Sequence, residues 1–599
     1  MSLKLKSELN KFGNSSKLVV FLHAYGKSGK SLYPLAEITH KNLPDADIYI
    51  PELPTSLFSF TDPNAIVVQL VKEISNLYRN SSGGYKEIVF AGHSLGALLA
   101  RKVYICACGE YEDAPFEAPL NSADFKAPQE WAKLVTRIIL IAGMNRGWRI
   151  SHHLSKKNAV IWSLGYMFAA LLTSLNLNRL LIYNIKKGAS FLTQLRIQWI
   201  TMKNKAPEKG VGNAQTIQLL GSVDDMVSPK DNIDLVSGRD FIYLDVPYSG
   251  HANIIDLKDE NPAYGLEEIL QDEFNKNTVS VGDIRSFYFK ICITNQTDLI
   301  EKHKVLPSDY QYITPREKVD LVVFVIHGIR DTGYWTHKIA RRVVKLAHLR
   351  GDKSIVETET SSYGYFPMIS FILPMRRRNK VEWFMDQYAE CLANYPNAKF
   401  SFVGHSNGTY LLAKALEEYP CCRFDNIVFA GSVVDSGFKW QRYIDSNQVK
   451  KVLNFVASKD LVVAVFPKGI RKLLFQDLGG AGHDGFTITH KNPGLKEHIH
   501  QIKFIHGGHS AALTEKNWNT IAHFILTGEI MEPPSELINS KRGLLTYFFG
   551  SIAPIILLAI ITLIVFSFIT LFYLNLPLWQ ALVFAFLYAI VLSVILRKL

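Results

Sequence analysis

Two stretches of this chain repeat one pattern and limit the folds open to it. Residues 86–104 (KEIVFAGHSLGALLARKVY) and residues 398–416 (AKFSFVGHSNGTYLLAKAL) match almost position by position. In both, an apolar run typical of a buried strand leads into glycine–x–serine–x–glycine and then into a pattern rich in Ala and Leu that is typical of a helix. Small residues on either side of the serine allow a tight turn that exposes its hydroxyl. Two such signals indicate a repeated domain.

Earlier in each copy, a second apolar run ends at a histidine. KLVVFL leads to His23 and DLVVFVI leads to His327, and the intervals from these histidines to Ser94 and Ser406 are 71 and 79 residues. Apolar strands that alternate with helical patterns predict an α/β fold, with mainly parallel sheets covered by helices on both faces.

The similar spacing predicts two tandem domains. We expect the first domain over residues 1–258 and the second over residues 316–532. Residues 259–315 are more charged and less periodic, so they are predicted to form a linker.

With these motifs in place, the chain resembles the α/β-hydrolase family over most of residues 15–530. The resemblance implies a serine nucleophile, a carboxylate and a histidine, which follow one another in that order along the chain. A serine hydroxyl needs a base to remove its proton, and the base needs a carboxylate to orient it.

In the first copy, the nucleophile predicted by the motif is Ser94. The family often shows G-x-x-D-x-x-V in the acid loop, which residues 221–227 match, and this selects Asp224 over its neighbour Asp225. The histidine follows the next strand pattern, FIYLDV, and is His251.

The second copy repeats this order with Ser406 and Asp460, and His509 is preferred over His506 and His483 because a glycine precedes it as in the first copy. The interval between acid and histidine is 49 residues here and 27 in the first copy. A second domain that has lost its activity and serves as a scaffold is the alternative.

An oxyanion hole needs two N–H donors that point at the developing negative charge. One donor is expected from the residue after each serine, Leu95 or Asn407. The register of the family's His-Gly-x motif implies Tyr25 and Ile329 as the other donors, although Ala24 stands where glycine is usual.

The end of the chain predicts a membrane anchor. Residues 543–596 contain no Asp, Glu, Lys, Arg or His, and about 20 apolar residues span a bilayer. We expect a transmembrane hairpin within 543–599, with spans near 546–573 and 578–596. Basic residues at both outer flanks place these flanks, and both soluble domains, on the cytoplasmic side. The alternative is a buried helical hairpin of a soluble domain.

Two other segments suggest contact with apolar ligands. An insertion at about 144–212 is expected to form a cap over the first site, and its uncharged stretch Asn158–Asn178 is interpreted as a cap helix or an ordinary core helix. Residues 363–383 combine an apolar run with Arg376–Arg378, which suits a membrane-interface segment or a surface loop with a basic patch.

Composition narrows the classes of partner. The net charge of +12 is spread over 599 residues without a dense basic arm, which favours anionic lipid over nucleic acid. The six cysteines lack zinc-site spacing, so buried thiols are expected. Neither a phosphate-binding lysine loop nor a metal cluster is evident, and no cofactor is predicted.

These features predict a membrane-anchored serine hydrolase that cleaves carboxylic esters, and lipid acyl esters in particular. The same three residue types also serve acyltransferases, thioesterases and peptidases. A membrane-tethered interaction protein with one or both domains inactive is the remaining alternative. The sequence leaves any protein partners open.

Overall fold

The computed structural model describes residues 6–10, 15–81, 83–148, 180–224, 226, 234, 241–265, 274, 279–305, 316–331, 333–351, 353–474, 477–487, 494–539, 541–570 and 577–598. The chain divides into two units. The first comprises residues 1–314 with 386–394, and the second comprises residues 315–385 with 395–599.

Within its described residues, the first unit contains one eight-stranded sheet with the order β1-β3-β2-β4-β5-β6-β7-β8. Strands β2 to β7 are parallel, whereas β1 and β8 pair antiparallel at the two edges. The strands are β1 (Lys6–Asn10), β2 (Lys17–Leu22), β3 (Ala46–Glu52), β4 (Glu87–His93), β5 (Val135–Ile141), β6 (Gln215–Gly221), β7 (Phe241–Val246) and β8 (Lys304–Val305). The helices are α1 (Tyr33–Asn42), α2 (Pro63–Arg79), α3 (Leu95–Ala107), α4 (Leu181–Asn184), α5 (Ser190–Asn204), α6 (Ala206–Lys209), α7 (Val281–Ile293) and α8 (Thr297–His303).

The described part of the second unit contains one six-stranded parallel sheet with the order β10-β9-β11-β12-β13-β14. Its strands are β9 (Leu321–Ile326), β10 (Val356–Glu359), β11 (Lys399–His405), β12 (Phe424–Ala430), β13 (Val449–Ala457) and β14 (Ile499–Ile505). Later helices of the chain are α9 (Tyr334–Leu349), α10 (Met368–Ile372), α11 (Pro374–Asn394), α12 (Asn407–Glu418), α13 (Trp440–Asp445), α14 (Leu461–Leu474), α15 (Ala481–Asp484), α16 (Leu495–His498), α17 (Trp518–Thr527), α18 (Leu544–Ser551), α19 (Ala553–Thr570) and α20 (Leu578–Lys598).

Central strands such as β2 are apolar because both faces of the sheet are covered. In β2, Leu18, Val20 and Leu22 belong to one buried cluster. Val19 and Phe21, which alternate with them, belong to another cluster on the opposite face. This alternation explains why the strand reads as a continuous apolar run. The predicted α/β class, with mainly parallel sheets covered by helices, is confirmed.

The segment predicted as a linker, residues 259–315, is in part a folded piece of the first unit. Helix α7 is capped by Ser280, whose hydroxyl accepts the Asp283 N–H, and Ile284 and Phe289 are buried in the core. Strand β8 then joins the edge of the sheet. The charges of this segment lie among apolar residues at helical spacing, which the charged composition concealed.

The C-terminal helices differ from the predicted spans. The first predicted span, 546–573, is divided at Ile552 into the short helix α18 and the helix α19. Among the described residues, α19 alone is long and apolar enough to cross a membrane. The apolar part of α20, Leu578–Leu592, is shorter, so the second span stays a prediction.

The three arginines at Arg376–Arg378 are not an exposed basic patch as a whole. Arg377 is fully buried and donates hydrogen bonds to the Phe371 carbonyl and to Asp477. Arg378 forms an ion pair with Glu418 at 3.0 Å. The interpretation that Arg377 contacts lipid headgroups is therefore wrong. The six cysteines are all buried and form no disulfide, as expected.

Helix α7 holds the loop after β7 through one buried side chain. The Arg285 guanidinium donates to Ser249 Oγ at 2.9 Å, to the Tyr248 and Asp256 carbonyls at 2.9 Å each, and to Asp259 Oδ2 at 3.1 Å. We expect Arg285→Met to lower the free energy of unfolding of the first unit by about 3 kcal/mol, because these acceptors would lose their donor. Urea titration of the purified protein in mild detergent measures this.

Lys258→Met provides the matched control for loss of one positive charge. The ion pair of Lys258 with Glu37 is 3.8 Å long and exposed, so the control is expected to change the same transition by less than about 1 kcal/mol. Equal effects of the two variants would contradict the role given to Arg285.

Candidate active site

Both motif serines lie at a strained turn between a strand and a helix. Ser94 joins β4 to α3 with φ 53° and ψ −112°, and Ser406 joins β11 to α12 with φ 50° and ψ −118°. A positive φ is uncommon outside glycine and persists where the surrounding structure imposes it. Each serine therefore lies at the carboxyl end of its strand and at the start of a helix.

The flanking glycines are required by contacts of the turn. A Cβ atom on Gly96 would lie 2.0 Å from the Leu22 carbonyl oxygen, and one on Gly92 would lie 2.4 Å from the Gly96 carbonyl oxygen. In the second unit, a Cβ atom on Gly408 would lie 2.6 Å from the Ile326 carbonyl oxygen. In each unit, the strand that ends just before the early histidine, β2 or β9, therefore packs directly against the helix that follows the serine.

In the first unit, Ser94, His251 and Asp224 form a continuous hydrogen-bonded chain. Ser94 Oγ lies 2.9 Å from His251 Nε2, and His251 Nδ1 lies 3.0 Å from Asp224 Oδ2. A carboxylate oxygen only accepts, so Nδ1 carries the proton and Nε2 is left to accept from the hydroxyl. The other oxygen of Asp224 accepts the Met226 N–H at 3.0 Å. The side chains of His251 and Asp224 are 6% and 3% exposed.

The loops that carry the acid and the histidine approach closely. The Val223 N–H donates to the Ser249 carbonyl at 3.0 Å. A Cβ atom on Gly221 would lie 2.4 Å from that same carbonyl oxygen. Glycine at this position therefore permits the contact that brings Asp224 beside His251.

His93, the residue before the serine, also contacts the histidine loop. Its Nε2 donates to the His251 carbonyl at 2.8 Å. Burial, reinforced by the neighbouring His251, lowers the pKa of His93 to about 3. His93 is therefore a neutral donor that fixes the backbone of His251. Sequence reasoning missed this role, since the motif position between the first glycine and the serine was treated as variable.

The early histidine shapes the loop beside the serine. His23 Nε2 accepts the Leu53 N–H at 2.8 Å, so its Nδ1 carries the proton and donates to the Ala24 carbonyl at 3.0 Å. Burial lowers the pKa of His23. The positive φ of this loop, 68°, falls at Gly26. Ala24 is not among the described residues with positive φ, which explains how alanine is accommodated there.

The predicted oxyanion donors flank the serine. Leu95 is the first residue of α3, where helix N–H groups have no intrahelical acceptor. Among the described residues, neither the Leu95 nor the Tyr25 N–H donates to a backbone carbonyl outside regular elements. The Tyr25 phenol donates to the Leu57 carbonyl, and burial raises its pKa to about 12. The Leu95 and Tyr25 N–H groups stay predicted oxyanion donors.

A cavity of about 320 Å³ opens at Ser94 and His251. Its wall is mainly apolar and is formed by Ala24, Tyr25, Gly26, Lys27, Leu57, His93, Met144, Trp148, Ile182, Met226 and Ala252. Trp148 is held in the wall by a 2.7 Å hydrogen bond from its ring N–H to the Ile182 carbonyl. Apart from Tyr25, sequence reasoning did not assign these residues to the site, since they come from loops far apart along the chain.

The second unit brings together only part of its predicted set. His509 Nδ1 lies 3.0 Å from Asp460 Oδ2. Burial opposes ionisation of Asp460, yet the charge and hydrogen bond of His509, together with the Val463 N–H, hold its pKa below the usual value. Within the described residues, Ser406 Oγ makes no hydrogen bond to His509.

The two alternative histidines lie elsewhere. His506 Nδ1 accepts from the Asn539 side chain at 3.1 Å, and His483 Nδ1 lies 2.8 Å from Asp484. Of these three histidines, His509 is the one that hydrogen bonds to Asp460.

The early loop of the second unit lies directly against its serine. A Cβ atom on Gly328 would lie 2.8 Å from the Ser406 Cβ. The Tyr363 hydroxyl lies 2.8 Å from the Gly328 carbonyl and accepts from the Asn407 side chain at 3.1 Å. Ile329 follows Gly328, so this predicted donor and Asn407 both lie beside Ser406.

Some predicted features lie outside the described residues. These are the alternative acid Asp225, the motif residue Val227 and the apolar stretch 158–178 of the proposed cap. In the part of the chain that the structure describes, no group of three or more His, Cys, Asp or Glu side chains is arranged to hold a metal ion.

Comparisons with known proteins give no relative in sequence. No protein-family model and no curated protein matches the chain. A soluble variant of the Saccharomyces cerevisiae monoglyceride lipase, solved with a substrate analogue, is 12% identical with a TM-score of 0.31, and the match covers 50% of this chain and 92% of that one.

Two further structures match at a similar level. Bacillus licheniformis lipase BlEst2 is 12% identical with a TM-score of 0.26, and the match covers 45% of this chain and 97% of that one. Esterase B from Lactobacillus rhamnosis is 11% identical with a TM-score of 0.28, over 49% and 84% of the two chains. Similarity this low carries no argument about activity. The topology and the site define an α/β protein with a serine–histidine–aspartate chain at the carboxyl edge of a parallel sheet.

The strain at the serine turn can be measured with a pair of variants. Ser94→Gly and Ser94→Ala both remove the hydroxyl, but glycine adopts positive φ without a Cβ clash. We expect Ser94→Gly to be more stable than Ser94→Ala by about 1 kcal/mol. Urea titration of both variants in the same detergent tests this, and a less stable glycine variant would contradict the strained turn.

Proposed function

We propose that the protein is a membrane-anchored serine hydrolase of the α/β-hydrolase family that cleaves carboxylic esters at Ser94. The observation that carries this proposal is the buried hydrogen-bonded chain from Ser94 through His251 to Asp224. Its order along the sequence and its position at the ends of parallel strands are those of a nucleophile, a base and an orienting acid.

The proposed reaction begins with attack of Ser94 Oγ on the ester carbonyl carbon, while His251 Nε2 takes the hydroxyl proton. Asp224 stabilises the imidazolium that forms. The C–O bond to the alcohol then breaks, and His251 returns the proton to the departing oxygen. Water attacks the acyl-enzyme with His251 again as base, which releases the carboxylic acid and regenerates Ser94.

Two backbone amides support the tetrahedral intermediates in this mechanism. The Leu95 N–H lies at the N-terminus of α3, where the helix dipole adds positive potential. The Tyr25 N–H supplies the second donor from the early loop. Preorganised donors of this kind contribute about 2.7–4 kcal/mol each to stabilisation of the transition state.

The cavity supports the proposed substrate class. Its apolar wall of Leu57, Met144, Trp148, Ile182 and Met226 suits an acyl chain rather than a charged group. Together with the membrane anchor, this apolar wall favours a lipid acyl ester as the substrate. The proposed reaction uses no metal or other cofactor.

We assign the working centre to the first unit and a supporting role to the second. The two units share one strand order, since β3-β2-β4-β5-β6-β7 corresponds to β10-β9-β11-β12-β13-β14. This supports a duplication of one domain, over residues 1–258 and 316–532. The folded part of the predicted linker extends the first of these domains. In the second unit, His509 is paired with Asp460 but not with Ser406.

The anchor is the helix α19, which has a mean hydropathy of 2.7 over 18 residues. We propose that α20 returns across the bilayer, so that both soluble units face the cytoplasm. Two pairs of basic residues support this orientation: Lys541 and Arg542 precede α18, and Arg597 and Lys598 lie at the end of α20.

A fluorophosphonate probe distinguishes the two serines. We expect the probe to label wild type and the Ser406→Ala variant but not Ser94→Ala, because only Ser94 is hydrogen bonded to a base. Hydrolysis of a long-chain ester should fall at least about 10⁴-fold in Ser94→Ala. Absence of labelling in folded wild type would defeat the enzyme proposal, and loss of labelling in Ser406→Ala alone would move the activity to the second unit.

The acyl pocket can be tested by filling it. Ile182→Trp is expected to lower kcat/KM for a laurate ester at least about tenfold relative to a butyrate ester, because the larger ring occupies the space of the distal carbons. Val305→Trp, at an exposed position on β8, is the control and should leave the ratio unchanged. An unaltered ratio in Ile182→Trp would contradict an acyl chain in this cavity.

A further inference from the structure

The base of the membrane anchor is joined to the loops of the second centre. The Gly543 N–H donates to the Ser458 carbonyl at 2.9 Å, and the Asn539 side chain donates to Ser458 Oγ at 3.0 Å. Ser458 is fully buried and precedes Asp460 by two residues. The Lys459 N–H in turn donates to Gly507 at 2.9 Å, on the loop that carries His509.

The anchor helices also pack closely against α14, the helix that begins directly after Asp460. A Cβ atom on Gly469 would lie 2.5 Å from Leu557 Cδ1, and one on Gly550 would lie 3.3 Å from Ala464 Cβ. Glycine on each partner thus allows α14 to contact both α18 and α19. The depth of α19 in a bilayer therefore determines the depth of α14.

An apolar surface faces outward at this junction. We call it the apolar rim, and its six exposed side chains belong to the starts of α14 and α18: Leu461, Val462, Leu544, Leu545, Tyr547 and Phe548. Leu544 is 87% exposed, whereas Thr546 and Gly550 of the same helix are turned inward and buried. A helix that exposes Leu, Tyr and Phe beside an apolar span is typical of the boundary between headgroups and acyl chains.

Two lysines frame this surface. Lys459 and Lys541 are exposed and lie shortly before the two rim segments along the chain, where they suit anionic headgroups. Two basic residues further along α14 are paired with acids of the same unit, Lys468 with Asp484 and Arg471 with Asp435.

We infer that the apolar rim inserts into the lipid bilayer and places the second centre at the membrane boundary. The inference rests on the membrane anchor of the proposed function, and it adds which face of the second unit contacts lipid. Because Leu461 directly follows Asp460, the acid loop of this centre would lie next to the inserted surface.

Cysteine labelling of the full chain in phosphatidylcholine–phosphatidylserine vesicles tests the inference. The six native cysteines are buried, so single variants Val462→Cys and Leu545→Cys report on the rim. Leu349→Cys is the matched control, because Leu349 is 72% exposed on α9 of the same unit. A charged polymer maleimide is applied, and labelling is normalised to the SDS-unfolded protein.

We expect both rim cysteines to be labelled at least about tenfold more slowly than Leu349→Cys, since the rim would lie some 5–10 Å below the headgroup surface. Equal rates in protein that resists alkaline carbonate extraction would overturn the inference and leave the anchor intact. Release by carbonate would overturn the anchor and the inference together. Fluorophosphonate labelling of Ser94, in the first unit, is scored separately, so that failure of the hydrolase proposal is distinguished from these outcomes.

Discussion

The first site depends on the contact between a glycine and a strand carbonyl. Gly96 lies so close to the Leu22 carbonyl that a Cβ atom would come within 2.0 Å of it. This approach lets β2 and β4 lie side by side with α3 starting directly behind the serine. In the same turn, the Ser94 backbone has φ 53°, and its hydroxyl lies 2.9 Å from His251 Nε2. The strain is held by the apolar core on both faces of the sheet.

Around that turn, the polar groups of the site are held by hydrogen-bond partners. Asp224 accepts from His251 and from the Met226 N–H, so both of its carboxylate oxygens are engaged. His93 is kept neutral by burial and donates to the His251 backbone. Arg285 holds the far side of the histidine loop from a helix outside the motif sequence. The base is thereby oriented by three independent elements.

The two units contain the same serine turn but differ in the contacts that the serine makes. Ser94 and Ser406 have nearly the same backbone angles, and each acid is paired with its histidine. The difference lies in the next contact, because only Ser94 reaches its histidine. In the second unit, Gly328 approaches Ser406 and the anchor base is hydrogen bonded to the acid loop. The proposed division of labour, a reacting unit and a membrane-oriented unit, follows from these contacts.

The sequence by itself determined the class of fold, the two serine turns and the order of acid and histidine. These depend on local requirements: period of apolar residues, glycines at a tight bend and chain order. Only the tertiary structure decided what depends on approach between distant segments. It separated Ser406 from its histidine and assembled a cavity from loops far apart. It also showed that residues 279–305 belong to the first unit and that Arg377 is buried. The sequence does not distinguish a charged residue on a packed helix or beside a carboxylate from a charged residue in water.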